Sequence, residues 1–248
     1  MIATRSAAEI AIMREAGRVT ARALKAVGDA VAPGVTTAEL DGIAADVIRS
    51  AGARAAFLGY HGFPSTVCAS LNGEVVHGIP GKRKLSSGDI LSVDVGAVVD
   101  GYFGDAARTF PVGSVTDEAS RLLLATRESL ETGIACCRPG MRLGDIGAAV
   151  QRVAEDAGFS VVREYVGHGI GRAMHEDPQV PNYGTAGKGP VLLAGMVLAV
   201  EPMINAGRCD VRQLSDGWTV VTADGSLSAH FEHTIAITDD GPRILTLE

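Results

Sequence analysis

From Ile10 onward the side chains Ile10, Met13, Val19, Ala23 and Val27 recur at roughly helical intervals, the stripe that an amphipathic helix buries on one face. Ser6 and Glu9 have capping-box spacing, in which a hydroxyl serves the backbone three residues on and a carboxylate returns the bond. A first helix is therefore predicted to begin there and to run to about Gly28. Pro33-Gly34 breaks the chain, Thr36 and Glu39 repeat the box, and Leu40, Ile43, Val47 and Ile48 mark a second helix ending at Gly52. The pattern returns 106 residues later, with Pro139-Gly140, then Leu143, Ile146, Val150 and Val153, and a stop at Ala157-Gly158. One more residue of offset aligns His61 with His168 and Asp94 with Glu201. This recurrence predicts two related halves, roughly 1–112 and 113–248, each a helix pair followed by strands.

Strand-like runs rich in β-branched residues cover 90–95, 98–99, 197–200, 219–221 and 234–237. No Gly/Ser-rich linker or charge block parts the halves, so a single domain spanning residues 1–248 around one core is expected. The glycine-rich segments 59–62 and 184–189 read as surface loops. At 248 residues, 46% hydrophobic and 21% charged, the chain can bury a full core without disulfides. Its 22 basic and 29 acidic residues leave a net charge of −7, the wrong sign for a protein held by nucleic-acid phosphates or an anionic membrane. Cys68, Cys136, Cys137 and Cys209 lack the two-residue spacing of a zinc knuckle or redox pair and suit a reducing compartment. The first residues, Met1 to Ser6, carry no apolar run of secretory length, and no run of 18 apolar residues occurs, so a cytoplasmic protein is expected.

The segment richest in chemistry runs from Val93 to Asp105, because Asp100-Gly101 is a strong two-residue hairpin signal. Pairing Val99 with Tyr102 sets Asp94 opposite Ala107 and Asp105 opposite Gly96, so the two aspartates become diagonal neighbours on one sheet face, about 7–8 Å apart at the backbone. Two apposed carboxylates among apolar neighbours repel unless protons or cations intervene. Downstream, His168 lies between glycines in Gly167-His168-Gly169-Ile170-Gly171, Glu201 closes the apolar run 197–200 before Pro202, and Glu232 precedes the run 234–237. A carboxylate on a buried strand needs a partner. Two Asp, two Glu and one imidazole suit Mn(II), Fe(II), Co(II) or Zn(II), and four carboxylates neutralise two divalent cations, which favours a dinuclear site. Two such ions can acidify a shared water and hold a carbonyl, so metal-assisted hydrolysis is the predicted reaction.

These five residues, with Gly59-Tyr60-His61-Gly62-Phe63-Pro64, the run Asn72 to Pro80 containing His77, and Glu201-Pro202-Met203, resemble the type I methionine aminopeptidases over essentially the whole chain. The resemblance implies an α+β "pita-bread" fold, a pseudo-twofold antiparallel sheet with helices on the outer face. It implies two divalent ions (Co, Mn, Fe or Zn), Asp94 chelating one, His168 and Glu201 the other, and Asp105 and Glu232 bridging both. Glu201 would also accept the proton of the attacking water, His175 would polarise the scissile carbonyl, and His77 would bond the departing nitrogen. Tyr60, Phe63, Cys68 and Trp218 match the positions lining the methionine pocket, and Phe57, Phe63 and Met174 depart from the commonest bacterial pattern. The implied partner is the N-terminal methionine of nascent polypeptides with a small second residue, met by a monomer in transient association with the ribosome. A dipeptide hydrolase of the Xaa-Pro aminopeptidase or prolidase kind is the nearest alternative, and a non-catalytic binding protein of the same fold the other. Absence of a large N-terminal domain speaks against the first and the complete ligand set against the second.

Overall fold

The first helix, α1 (Ala7–Ala30), starts where its capping box places it, with the Glu9 amide donating to Ser6 Oγ at 3.3 Å and the Ser6 amide to Glu9 Oε2 at 2.9 Å. α2 (Thr37–Ser50) repeats the device with Thr36 and Glu39. In the second half α4 (Leu143–Asp156) follows the predicted stripe, but it is preceded by α3 (Asp117–Ala135), which the hydrophobic pattern does not announce. The reason lies in its buried face, where Thr126, Ser129 and Gly133 alternate with apolar residues. Both hydroxyls are satisfied within the helix, Thr126 donating to the Leu122 carbonyl and Ser129 to that of Ala125, each at 2.7 Å. The computed structural model describes residues 2–248; Met1, which opens the segment read as carrying no secretory run, lies outside the described residues.

The strands Ile90–Val99 and Tyr102–Pro111 form the predicted hairpin in the predicted register, with Val99 opposite Tyr102, Asp94 opposite Ala107 and Asp105 opposite Gly96. Its turn puts Asp100 and Gly101 at φ 47° and 79°, the left-handed geometry that an Asp-Gly pair accepts. Runs 90–95 and 98–99 are thus one strand. It pairs antiparallel with Val67–Leu71 and, near its other end, with Arg54–Ala55. In the second half Val197–Val200 lies between Gly167–Gly169 and His233–Thr238, again antiparallel, with Glu176–Val180 and Gly241–Ile244 at the edges.

Side chains alternate across these strands. Leu91, Val93, Val95 and Ala97 pack with Val19, Ala23, Val27, Leu40 and Ile48 of α1 and α2, and Leu198, Val200, Ile235 and Ile237 pack with Leu130, Ile134 and Ile146 of α3 and α4. The helices therefore cover one face of each sheet, and the opposite face is left for Asp94, Asp105 and their neighbours. A helix pair and antiparallel strands around a central one occur both before and after residue 112. The His61–His168 alignment does not carry over, because His168 lies on a strand flanking the central one, as 67–71 does in the first half, whereas His61 lies in the short helical turn Tyr60–Gly62.

The halves meet along Tyr102–Pro111. Thr234 Oγ1 receives the Asp105 amide at 3.0 Å and donates to the Asp105 carbonyl at 2.8 Å, while the Glu232 amide reaches the Ala107 carbonyl at 2.9 Å. Further along, the His230 amide donates to Thr109 Oγ1 and that hydroxyl to the His230 carbonyl, at 2.8 and 2.9 Å. Side-chain hydroxyls bridge the sheets here in place of a regular ladder, and each bridge fixes the backbone of a residue that carries chemistry.

Candidate metal centre and active site

All five predicted ligands converge on one cavity of about 260 Å³ at this seam, together with Tyr60, Phe63, Cys68, His77, His175 and Trp218. Asp105 and Glu232 come from the two sides of the seam and are only 3% and 2% exposed. Potential ligand atoms of Asp105, His168 and Glu232 lie within 4.8 Å of one another. His168 Nε2 stands 3.4 Å from Glu201 Oε1 and 4.0 Å from Asp105 Oδ2, and its Nδ1 meets the Gly169 carbonyl at 2.9 Å. That second contact needs the proton on Nδ1, which leaves the Nε2 lone pair turned to the carboxylates. The flanking glycines are required by close approach, since a Cβ at Gly167 would sit 2.3 Å from the Ala199 carbonyl oxygen and one at Gly169 2.2 Å from that of Asp177.

Burial dominates the electrostatics. Asp94 is raised to about 7 by desolvation, with a hydrogen bond shared with Asp105 pulling it back, and Asp105, Glu201 and Glu232 are pushed well above the carboxylate range by burial and then by one another's charge. Burial lowers His168 to about 4, so its imidazole is neutral, as a ligand must be. Oδ1 of Asp94, Oδ1 of Asp105 and Oε1 of Glu232 are buried with no hydrogen-bond donor among the described residues. Unpartnered buried carboxylate oxygens beside a free imidazole nitrogen fit divalent cations, which would satisfy the oxygens and offset the mutual repulsion.

At the other end the cavity is lined by rings and sulfur. Phe63 and Trp218 meet edge to face at 5.1 Å, and the Asp216 carboxylate fixes the turn beneath Trp218 by accepting the amides of Trp218 and Thr219, both at 2.9 Å. Cys68 pairs in register with Asp94, and burial followed by the neighbouring carboxylate charges pushes its thiol well up. Phe57 and Met174 line the same cavity. His77, at a left-handed φ of 60°, stands edge-on to Tyr165 at 5.7 Å and to Trp218 at 6.5 Å, and burial lowers it to about 4. His175 lies 4.3 Å from His168 between ring centres, with its Nδ1 2.8 Å from the Tyr60 hydroxyl. Burial and then the charge of His61 lower its pKa as well.

Three features go beyond the sequence reading. Tyr60 is more than a pocket wall, because it holds His175, and the segment 59–62 is a cavity edge rather than only a surface loop. The His175 loop is clamped by Glu176, which accepts the amides of Arg172 and Ala173 at 2.8 and 3.1 Å and pairs with Arg5. His230, which sequence reasoning does not single out, is 1% exposed and places Nε2 3.7 Å from Glu201 Oε2. Its signal was available, for His230 and Glu232 are two apart on an extended segment and share a face.

Against known proteins, residues 11–239 match the model of metallopeptidase family M24. The methionine aminopeptidase of Clostridium acetobutylicum is 52% identical over 248 residues, covering 100% of this chain and 99% of that one, and methionine aminopeptidase 1 of Bacillus subtilis is 53% identical over 246 residues, covering 99% of each. The crystal structure of the methionine aminopeptidase from Rickettsia prowazekii superposes with a TM-score of 0.98 at 46% identity, with both chains covered in full.

Proposed function

The chain belongs to metallopeptidase family M24, and on that premise we propose that it is an aminopeptidase that hydrolytically removes the N-terminal methionine of polypeptides whose second residue is small. Its two largest sheets, both antiparallel and covered by helices on their outer faces, form the pita-bread fold expected of that family. The observation that carries the reading is one cavity with two unlike ends, a carboxylate and imidazole cluster at one and a ring-lined, thiol-containing pocket at the other. An unbranched thioether suits the second end, since sulfur packs well against aromatic edges. A methionine seated there has its own peptide bond beside the first.

The residues fit divalent ions drawn from Mn, Fe, Co and Zn; in the proposed pair Asp94 would hold one, His168 and Glu201 the other, and Asp105 and Glu232 would be shared. Four carboxylates balancing two dications support that count. When bound, such ions supply an acidified water and an electrophilic contact for the carbonyl. The remaining chemistry falls to side chains. Glu201 accepts the proton of the attacking water. With the Tyr60 hydroxyl donating to Nδ1, the proton of neutral His175 stays on Nε2, where it can bond the carbonyl oxygen as negative charge develops. His77 bonds the nitrogen of the departing peptide. Cys68, kept protonated by burial, acts as a small apolar wall with Tyr60, Phe63 and Trp218.

From the likeness to methionine aminopeptidases we also propose a cytoplasmic monomer that meets nascent chains in transient contact with the ribosome; among the described residues no helix is long and apolar enough to cross a membrane. The test is a panel of short peptides differing at the first two positions, read by mass spectrometry. Met-Ala, Met-Gly and Met-Ser peptides are expected to be cut and Met-Lys and Met-Phe to resist, because displacing the scissile carbonyl by about 1 Å loses roughly 10²-fold in rate. Cleavage before proline irrespective of the first residue, or equal rates on Met-Gly and Met-Phe, would overturn the assignment.

A further inference from the structure

His230 occupies a position that its burial makes expensive. Its ring is 1% exposed and its Nε2 has no hydrogen-bond partner among the described residues, although a buried imidazole nitrogen left unpaired forfeits its hydration with nothing in return. The backbone gives it little freedom to look elsewhere. His230 is paired with Met203, two residues after Glu201, and its amide and carbonyl are both held by Thr109 Oγ1. What lies in front of the ring is Glu201. That carboxylate stands between two imidazoles, with Oε1 3.4 Å from His168 Nε2 and Oε2 3.7 Å from His230 Nε2. Ligand atoms of Glu201, His230 and Glu232 also lie within 4.8 Å of one another.

We propose that His230 is a positioning residue whose Nε2–H donates to Glu201 Oε2 and thereby holds Oε1 toward His168 and the metal centre. The inference rests on the assignment of Glu201 as ligand and proton acceptor. A shift of about 0.7 Å by either side chain brings the pair to ordinary hydrogen-bond length. The bond satisfies the last orphan on His230 and keeps Glu201 from swinging both oxygens toward one ion or turning away from it. Outer partners of this kind usually change metal affinity 10–100-fold when removed. The geometry favours this role over direct ligation, because the oxygen nearest His230 is not the one that faces His168.

Substitution with a graded set of side chains decides the matter. His230→Gln keeps an amide N–H at the reach of Nε2, His230→Asn carries one only as far as Nδ1, and His230→Phe carries none. Circular dichroism and thermal melting select the folded variants, and calorimetric titration with Co(II) or Mn(II) measures binding. His230→Asn and His230→Phe are expected to bind metal about 10–100-fold more weakly and to lose kcat with KM for a Met-Ala peptide little changed. His230→Gln is expected to restore both to near the parent values. X-ray absorption of the Co(II)-loaded protein should show the same imidazole count in parent and variants. Parent-like metal affinity in His230→Asn, failure of folded His230→Gln to recover it, or loss of one imidazole ligand from the absorption spectrum of a variant would overturn the proposal, the last in favour of direct ligation. Failure of the methionine reading would instead appear in the peptide panel, with these metal affinities untouched.

Discussion

Stripping the metal from this protein should leave a fold that weakens as the pH rises from 6.5 to 8. The sign follows from the carboxylates. Asp94 has a folded pKa of about 7 against an ordinary 3.8, so the folded state keeps a proton that the unfolded chain has released. The associated stability is complete below the unfolded value and is lost as pH climbs through the folded one. Buried histidines work in the opposite direction, since His77, His168 and His233 are lowered to about 4 and His230 to about 3, and they add stability as pH rises toward 6.5. At pH 6.5 the unfolded imidazoles are still half protonated, so over this window each of the four returns about 0.4 kcal/mol, and Cys68, raised from 9.0, does not yet titrate. For Asp94 alone, the linkage relation gives a loss of about 0.8 kcal/mol between pH 6.5 and 8. Asp105, Glu201 and Glu232 shift the same way, and it is the whole carboxylate cluster, not Asp94 alone, that outweighs the histidines over this window. For a chain of this size, each kcal/mol of net loss moves the melting temperature by about 2–4 °C, so the metal-free protein should melt lower at pH 8 than at pH 6.5. Differential scanning fluorimetry in a chelator, across that pH series, measures this directly. Saturating Mn(II) should abolish the decline, because cations then take the place of protons. A metal-free melting temperature that is flat or rising over the window would refute the picture of a desolvated, mutually repelling carboxylate cluster.

His175→Ala should lower kcat by about 10²–10³-fold with metal content unchanged, as expected for loss of one donor to a developing oxyanion, and a change confined to KM would reassign the residue to ground-state binding. Tyr60→Phe should lower kcat in the same sense but by less, since it frees the ring without removing it, and steady-state kinetics on a Met-Ala peptide separates the two. Asp105→Ala and Glu232→Ala should be the most damaging ligand changes, each removing a shared carboxylate; elemental analysis of either variant showing full metal content would refute the bridging role.

What the sequence made legible follows physical range. Local devices were readable to within a few residues, because the capping boxes at Ser6 and Thr36 and the Asp100-Gly101 turn act within four residues of themselves. The hairpin register then delivered Asp94 and Asp105 to one face without any tertiary knowledge. α3 escaped because its buried stripe is built partly of Thr, Ser and Gly, whose hydroxyls hide inside the helix. Contacts across the seam were equally invisible to pattern. Nothing in the spacing of Thr234 and Asp105, or of Tyr60 and His175, says that they touch, and the role of Thr234 appears only when the two sheets are side by side. The carboxylates that meet in the cavity could nonetheless be singled out, since acids beside apolar strands are costly enough to declare themselves.

The central claim is that Asp94, Asp105, His168, Glu201 and Glu232 hold divalent ions that hydrolysis of an N-terminal methionyl bond requires. The measurement closest to it is turnover of a Met-Ala peptide by protein stripped to verified metal-free state, followed by titration with Mn(II), Co(II) or Fe(II). No cleavage before addition, and recovery that tracks binding of the ion, is the predicted result. Full turnover by the metal-free protein would contradict it.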